Sequence, residues 1–270
     1  MRLAFFGDIV GRSGRNAIAR HLPALRDDLG LHAVIANGEN AAGGFGITRK
    51  VGEELFDAGV DVITLGNHSF DQAQGLEFIE NETRVLRPAN YPPNTVPGRG
   101  AGLYDVAGYQ LFVVNLHGRV FMDALDDPFQ QVERDLAQAP LRDVADAVLI
   151  DFHAEATSEK AAMGHACDGR VSLVVGTHQH VPTADARILP GGTAFQSDAG
   201  MCGDYDSIIG MEKAEPLRRF QTRRRSGRFE TASGEGTLCG VFVETEASGL
   251  AKRIEPIRIG PHLAEAVPSV

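Results

Sequence analysis

The chain has 270 residues, 43% of them hydrophobic and 23% charged, with 26 Lys and Arg against 36 Asp and Glu for a formal net charge of −10. Such a composition excludes a disordered chain, a collagen-like repeat and a coiled coil. The negative field also opposes any role in coating long nucleic acids, although a small anion held by a metal or a local positive pocket stays compatible with it.

Taken in chain order, the sequence repeats one motif: an apolar run, a polar turn, then a segment of helical period. Leu3–Phe6 ends in Gly7-Asp8, and a helix is expected over Asn16–Leu29 from the spacing of Ile18, Ala19, Leu22 and Leu25. Ala33–Ala36 leads into Asn37-Gly38-Glu39-Asn40 and a helix over Lys50–Ala58. Val60–Leu65 leads into Gly66-Asn67-His68 and a helix over Gln72–Glu82. The Pro- and Gly-rich stretch Arg87–Gly102 reads as a long loop, the kind that is often functional. A hairpin follows, Leu103–Val106 with Tyr109–Asn115. Val148–Ile150 then leads into Asp151-Phe152-His153 and a helix over Ser158–Cys167, and Val171–Val175 into Gly176-Thr177-His178-Gln179-His180. Leu238–Thr245 and Ala251–Ile259 form a second hairpin. Strand–helix alternation predicts a layered α/β fold, and the lack of repeats or linkers predicts a single domain over 1–270.

Three cysteines, Cys167, Cys202 and Cys239, lack C-x-x-C spacing, which argues against a disulfide framework and for a reducing compartment. The first apolar run is too short for a signal peptide, and no stretch reaches the ~18 apolar residues of a membrane span. A cytoplasmic protein that does not act on membranes is expected; self-association is left open, since no heptads are present.

The chemistry lies in position. Asp8, Glu39, Asn67, His153, His178 and His180 each follow a predicted strand, and in α/β sheets ligands bind beyond the carboxyl ends of strands. Five separate strand ends would then bring two carboxylates, an amide and three imidazoles into one crevice. Read singly, Asp8 is a turn former or helix cap and Asn67-His68 a mere turn. Read together, they are oxygen and imidazole donors without thiolate, a set that suits Mn, Fe or Zn rather than Ca or a cysteine zinc site. Six ligands exceed the needs of one catalytic ion, so two ions sharing a carboxylate are expected.

The blocks Gly7-Asp8, Gly38-Glu39-Asn40, Gly66-Asn67-His68, His153 and Gly176-Thr177-His178-Gln179-His180 resemble those of the calcineurin-like metallophosphoesterases. Asn37–Thr48 (NGENAAGGFGIT), Arg87–Pro92 (RPANYP), Gly176–Val181 (GTHQHV) and Ser197–Met211 (SDAGMCGDYDSIIGM) resemble the bacterial YmdB-like branch more closely. Two departures from the wider family, Val10 in place of a histidine and Glu39 in place of a bridging aspartate, are shared by that branch. The resemblance implies a four-layer α/β/β/α sandwich of two mixed sheets and two metal ions, Fe or Mn ahead of Zn. It implies that Asp8, Glu39, Asn40 and His180 hold one ion, and that Glu39, Asn67, His153 and His178 hold the other. His68 stays unligated as the acid or charge stabiliser, with Asn40, His68 and Phe45 near substrate. The implied reaction is hydrolysis of small phosphodiesters, 2′,3′- or 3′,5′-cyclic nucleotides, by a hydroxide bridging the two ions. The alternatives carried alongside are a phosphomonoesterase or protein phosphatase on the same metals, and a metal-loaded regulatory protein.

Several nearby residues are read conservatively. Asp71 is expected to cap a helix rather than hold His68, and His117 to be structural. Asn90-Tyr91-Pro92-Pro93 is placed as a candidate lining of the substrate entrance. Arg223-Arg224-Arg225 is read as a solvated turn, and Cys202 matches no nucleophile arrangement.

Overall fold

A computed structural model describes residues 1–269. The elements in chain order are β1 (Arg2–Phe6), β2 (Asp8–Ile9), α1 (Gly11–Asp28), β3 (Ala33–Asn37), α2 (Arg49–Asp57), β4 (Val62–Thr64), a 3₁₀ turn (Ala73–Gly75), α3 (Leu76–Asn81) and β5 (Val85–Leu86). The second half continues with β6 (Ala101–Val106), β7 (Tyr109–His117), α4 (Pro128–Leu136), β8 (Ala147–His153), α5 (Thr157–Ala166), β9 (Leu173–Thr177), β10 (Arg187–Ile188) and β11 (Ala194–Gln196). It closes with β12 (Met201–Cys202), α6 (Ala214–Thr222), β13 (Leu238–Thr245) and β14 (Ala251–Ile259).

Two six-stranded sheets form, ordered β14-β13-β1-β3-β4-β5 and β10-β11-β9-β8-β7-β6, with a small β12-β2 pair beside them. Parallel strands fill the centre of each sheet. The two expected hairpins supply antiparallel strands: β6 borders β7, and β13–β14 adds to β1. Both sheets are therefore mixed.

Strand alternation sorts the side chains into layers. Leu3 and Phe5 of β1, Ile35 of β3, Leu111 and Val113 of β7, Leu149 of β8 and Val175 of β9 pack between the sheets, all at 0% exposure. The alternate residues face outward to helices. Ala4, Phe6 and Val34 meet Ile18, Leu22, Leu55 and Phe78, while Val148, Ile150 and Phe152 meet Val132, Leu136 and Met163. Burial on both faces explains the near-continuous apolar runs of these strands, and the result is the α/β/β/α sandwich that the resemblance implies.

That same parity sets up the site. Following the inter-sheet positions toward the strand ends, the apolar series Ala33, Ile35 becomes Asn37, and Ala147, Leu149 becomes Asp151 and His153. Leu173, Val175 becomes Thr177, and Leu111, Val113 becomes Asn115 and His117. The core between the sheets thus turns polar at one end while staying buried.

Two helix boundaries differ from the sequence reading. Helix α1 starts at Gly11, five residues before Asn16. Its glycines suggest a loop but serve close approach, since a Cβ on Gly14 would lie 2.1 Å from the Cys202 carbonyl oxygen. The helix expected over Gln72–Glu82 is split by Gly75, where a Cβ would lie 2.1 Å from the Ile47 carbonyl oxygen. Helix α4, absent from the sequence reading, begins with Asp127 accepting from the amides of Phe129 and Gln130, with Pro128 in its first turn. None of the helices is long and apolar enough to cross a membrane, among the described residues.

Candidate metal centre

Three loops and two strands bring the expected residues together. Asp8 sits on β2, Glu39 and Asn40 follow β3, Asn67 and His68 follow β4, His153 ends β8, and His178 and His180 follow β9. Asp8, Glu39 and His153 are at most 1% exposed. One group forms around His153 Nε2: Asn67 Oδ1 lies at 2.9 Å, His178 Nδ1 at 3.1 Å and Glu39 Oε1 at 3.2 Å. Donor atoms of Glu39, His153 and His178 all lie within 4.8 Å of one another. A second group forms around His180 Nε2, with Asn40 Oδ1 at 3.2 Å and Asp8 Oδ1 at 3.7 Å. Asp8 Oδ1 also lies 3.9 Å from the His153 ring, so it faces both groups.

What fixes each imidazole is the nitrogen turned away from the centre. His180 Nδ1 donates to the Ile209 carbonyl at 2.8 Å, and His178 Nε2 meets the Glu155 carboxylate at 3.2 Å. Thr177 Oγ1 donates to Asp151 Oδ1 at 2.7 Å, so it can only accept from His153 Nδ1, 2.9 Å away. Asp151 in turn accepts from Asn37 and Thr64 of the opposite sheet, at 3.0 and 2.5 Å. His153 and His180 therefore direct their remaining nitrogen at oxygens that are themselves acceptors, and His178 directs its Nδ1 at the His153 ring nitrogen. Unprotonated, these atoms present lone pairs to one another in a buried space, an arrangement that a proton on His153 or a metal ion relieves, and imidazoles anchored through their outer nitrogen are the usual arrangement of metal ligands. Asp8 Oδ1 is buried without a hydrogen-bond partner, as an oxygen kept for an ion would be. The residues present fit divalent metal.

Protonation follows the same crowding. Burial pushes the Asp8 carboxyl up, against the pull of His180 and His153. Burial pushes His178 down to about 3, helped by neighbouring His153, which keeps it neutral. Burial also opposes charge on Glu39 and His153, but their mutual contact outweighs it, holding Glu39 at about 2 and His153 at about 9. Glu39 further accepts from the His68 amide at 2.9 Å through Oε2. Space is reserved as well: a Cβ on Gly66 would lie 2.3 Å from Glu39 Oε2 and 2.5 Å from His153 Nε2. His178 and His180 hold positive φ angles of 103° and 64°, a strain that the surrounding bonds sustain.

His68 belongs to the rim. Its side chain is 28% exposed, its Nδ1 lies 2.7 Å from Asp71 Oδ2, and its ring meets Phe45 edge-on at 5.0 Å. Asp71 therefore holds His68, and the expected helix-capping role is corrected: the N-cap of the 3₁₀ turn is Gln72, with no side-chain cap bond.

Other expectations resolve by contact. Asn90 is a buried staple, donating to the carbonyls of His117 and Asp126 at 2.8 and 2.9 Å and accepting from the His117 amide. Tyr91 packs on Phe70, and neither lines the cavity beside the metal residues. His117 lies buried under the centre, its ring 6.2 Å from His153 and both nitrogens unpartnered, with burial pushing it down to about 4. Cys202 is buried, its thiol pushed well up by burial, and all three cysteines are free. Arg223–Arg225 are exposed after α6.

Sequence reasoning missed Asp151, Thr177, Glu155 and the buried pair Lys160–Asp198. Lys160 Nζ lies 2.8 Å from Asp198 Oδ2, and Asp198 accepts from the Gln179 amide between the two histidines. Parity along β8 and β9 was the available signal for Asp151 and Thr177.

A two-sheet sandwich that gathers imidazole and carboxylate donors for divalent metal at its strand ends defines a metallophosphoesterase, a hydrolase of phosphate esters. The model of the family described as YmdB-like protein matches residues 4–257, and the chain belongs to that family. A curated relative, the 2′,3′-cyclic-nucleotide 2′-phosphodiesterase of Bacillus subtilis strain 168, is 45% identical over 260 residues, 96% of this chain and 97% of its own. The crystal structure of a hypothetical protein from Thermus thermophilus is 46% identical with a TM-score of 0.89, covering 96% of this chain and 99% of that one. That of a novel phosphatase from Mycoplasma pneumoniae is 35% identical with a TM-score of 0.89, covering 96% and 93%.

Proposed function

We propose that the protein hydrolyses small phosphodiesters, cyclic nucleotides among them, with the 2′,3′-cyclic form favoured by the name of its Bacillus relative. The observation that carries this reading is the set of three imidazoles, each tied through its outer nitrogen, whose inner nitrogens gather with the Glu39 carboxylate and the Asn40 and Asn67 amide oxygens. Two ions, Fe or Mn ahead of Zn, would be held by Asp8, Glu39, Asn40 and His180 on one side and by Glu39, Asn67, His153 and His178 on the other, with Glu39 shared. Bound there, they would supply a low-pKa water as nucleophile and positive charge for the phosphoryl oxygens.

The chain's own residues do the rest. Asn40 Nδ2 donates to the Gly44 carbonyl at 3.0 Å, which turns its oxygen to the centre. His68 faces the cavity beside Glu39 and His178. With Nδ1 paired to the Asp71 carboxylate, the ring is held so that Nε2 is left to hand a proton to the leaving oxygen. Phe45 packs against that ring and limits its rotation. A monoester dianion asks for more positive charge than a diester, and the cavity lining contains neither Lys nor Arg among the described residues; this supports the diester.

We also propose a single domain, supported by the pairing of β13, near the chain end, with β1 at its start. Three free buried cysteines support a reducing, cytoplasmic setting. The test is a substrate panel on protein loaded with Fe or Mn: bis-p-nitrophenyl phosphate, p-nitrophenyl phosphate and 2′,3′-cyclic AMP. Turnover of both diesters above the monoester is expected; a monoester preference, or no hydrolysis at all, would overturn the reading.

A further inference from the structure

The cavity at the metal centre, about 370 Å³, has two unlike ends. Glu39, Asn40, His68, His178 and His180, with Phe45 edge-on to His68, form one. The other comes from the segment 208–229, with Ile209, Met211, Phe220 and Phe229, and presents only apolar side chains. Phe220 is 77% exposed, Ile209 55% and neighbouring Leu217 48%, an unusual concentration of uncovered large apolar groups.

This end is built, not loose. The Arg219 guanidinium stacks on the Phe229 ring at 3.8 Å. Arg219 is fixed in turn by Glu215 Oε1 at 2.7 Å and by the Gly227 carbonyl at 2.7 Å. Glu215 also accepts from Ser226, closing the turn after α6. On the other side Ile209, a β-branched residue held at φ 47°, gives its carbonyl to His180 and its side chain to the cavity. The wall and the imidazole are thus joined through one residue.

Resting on the diesterase reading above, we infer that segment 208–229 is the specificity wall of the site, with Phe220 and Phe229 seating the nucleobase of the substrate by apolar and stacking contact. Continuity of the cavity identifies the occupant: beyond a phosphodiester at the imidazole end lie Phe45, edge-on to His68, and the longer apolar wall of segment 208–229, which offers the organic group its larger surface. Apolar side chains read no base edges, so purine and pyrimidine nucleotides are bound alike. With neither Lys nor Arg lining the cavity, no second phosphate is held.

The test measures kcat/KM of the metal-loaded protein on 2′,3′-cyclic AMP, 2′,3′-cyclic CMP and base-free ribose 2′,3′-cyclic phosphate. Stacking on one base predicts that both nucleotides exceed the base-free sugar by roughly 5- to 150-fold. Phe220→Ala, at an exposed position that leaves the core intact, should collapse that ratio toward one, mainly through KM for the nucleotides. Hydrolysis of all three at equal efficiency by the wild type overturns the wall and leaves the diesterase reading standing. No hydrolysis of any overturns both. A ratio retained in Phe220→Ala, with loss of a concentration-dependent dimer, would assign the patch to a second copy and overturn the inference.

Discussion

Beneath the candidate metal centre, the single proton of the Thr177 hydroxyl decides that His153 Nδ1 must carry a proton. It goes to Asp151, which leaves an oxygen that can only accept from His153 Nδ1. Thr177→Val removes that acceptor, so metal affinity should fall by roughly 10–100-fold, the usual effect of losing an outer partner of a ligand. Thr177→Ser should restore it; wild-type affinity in the valine variant by calorimetric metal titration would contradict the role. His68 predicts a different signature. His68→Ala should keep its metal content by elemental analysis and lose about 10²–10⁴-fold in kcat, and full turnover would remove His68 from the reaction. That Asp8, Glu39, Asn67, His153, His178 and His180 come together was legible because they were placed at strand ends. Their anchors were not. Glu155 and the Ile209 carbonyl reach the centre through turns whose geometry no local pattern encodes, and Asp71 looked like a helix cap because its pairing with His68 depends on a turn closed by tertiary contact.

Among the elements, α4 carries a cost that pH can expose. Asp135 is buried on it and accepts from Gln131 at 3.0 Å, and burial pushes its carboxyl from 3.8 up to about 6. A raised pKa in the folded state means that the favourable protonated form is fully present below 3.8, and that its contribution is lost as pH rises through 6. Asp135→Asn should therefore be more stable than the wild type at pH 7.5, by on the order of 1–3 kcal/mol. The gap should close toward pH 4 in denaturant titrations; a gap independent of pH would contradict burial as the cause. Helix periodicity located most helices, yet α1 was started too late because Gly11 and Gly14 read as breakers when they are contact points for Thr231 and the Cys202 carbonyl. Helix α6 escaped notice because its apolar residues Leu217 and Phe220 face outward, so no core-facing stripe marks it.

Across the whole molecule, two sheets face each other with the same parity, and that one alignment produces both the core and the centre. Leu, Ile and Val fill the shared layer until Asn37, Thr64, Asp151 and Thr177 replace them at the strand ends, where Asn37 and Thr64 bond across the gap to Asp151 and Thr177 bonds it within its own sheet. Alternation of strand and helix revealed the layers; the closure of the first sheet by β13 and β14 depends on a pairing more than 200 residues apart in sequence, Arg2 with Glu244, and no local signal carries it. As proposed, this centre is a two-ion phosphodiesterase site. Its most direct test is to strip the protein with chelator and titrate Mn back while following bis-p-nitrophenyl phosphate hydrolysis. The account predicts background turnover in the stripped protein and a rise that saturates at two equivalents per chain. Undiminished hydrolysis after complete metal removal would contradict it.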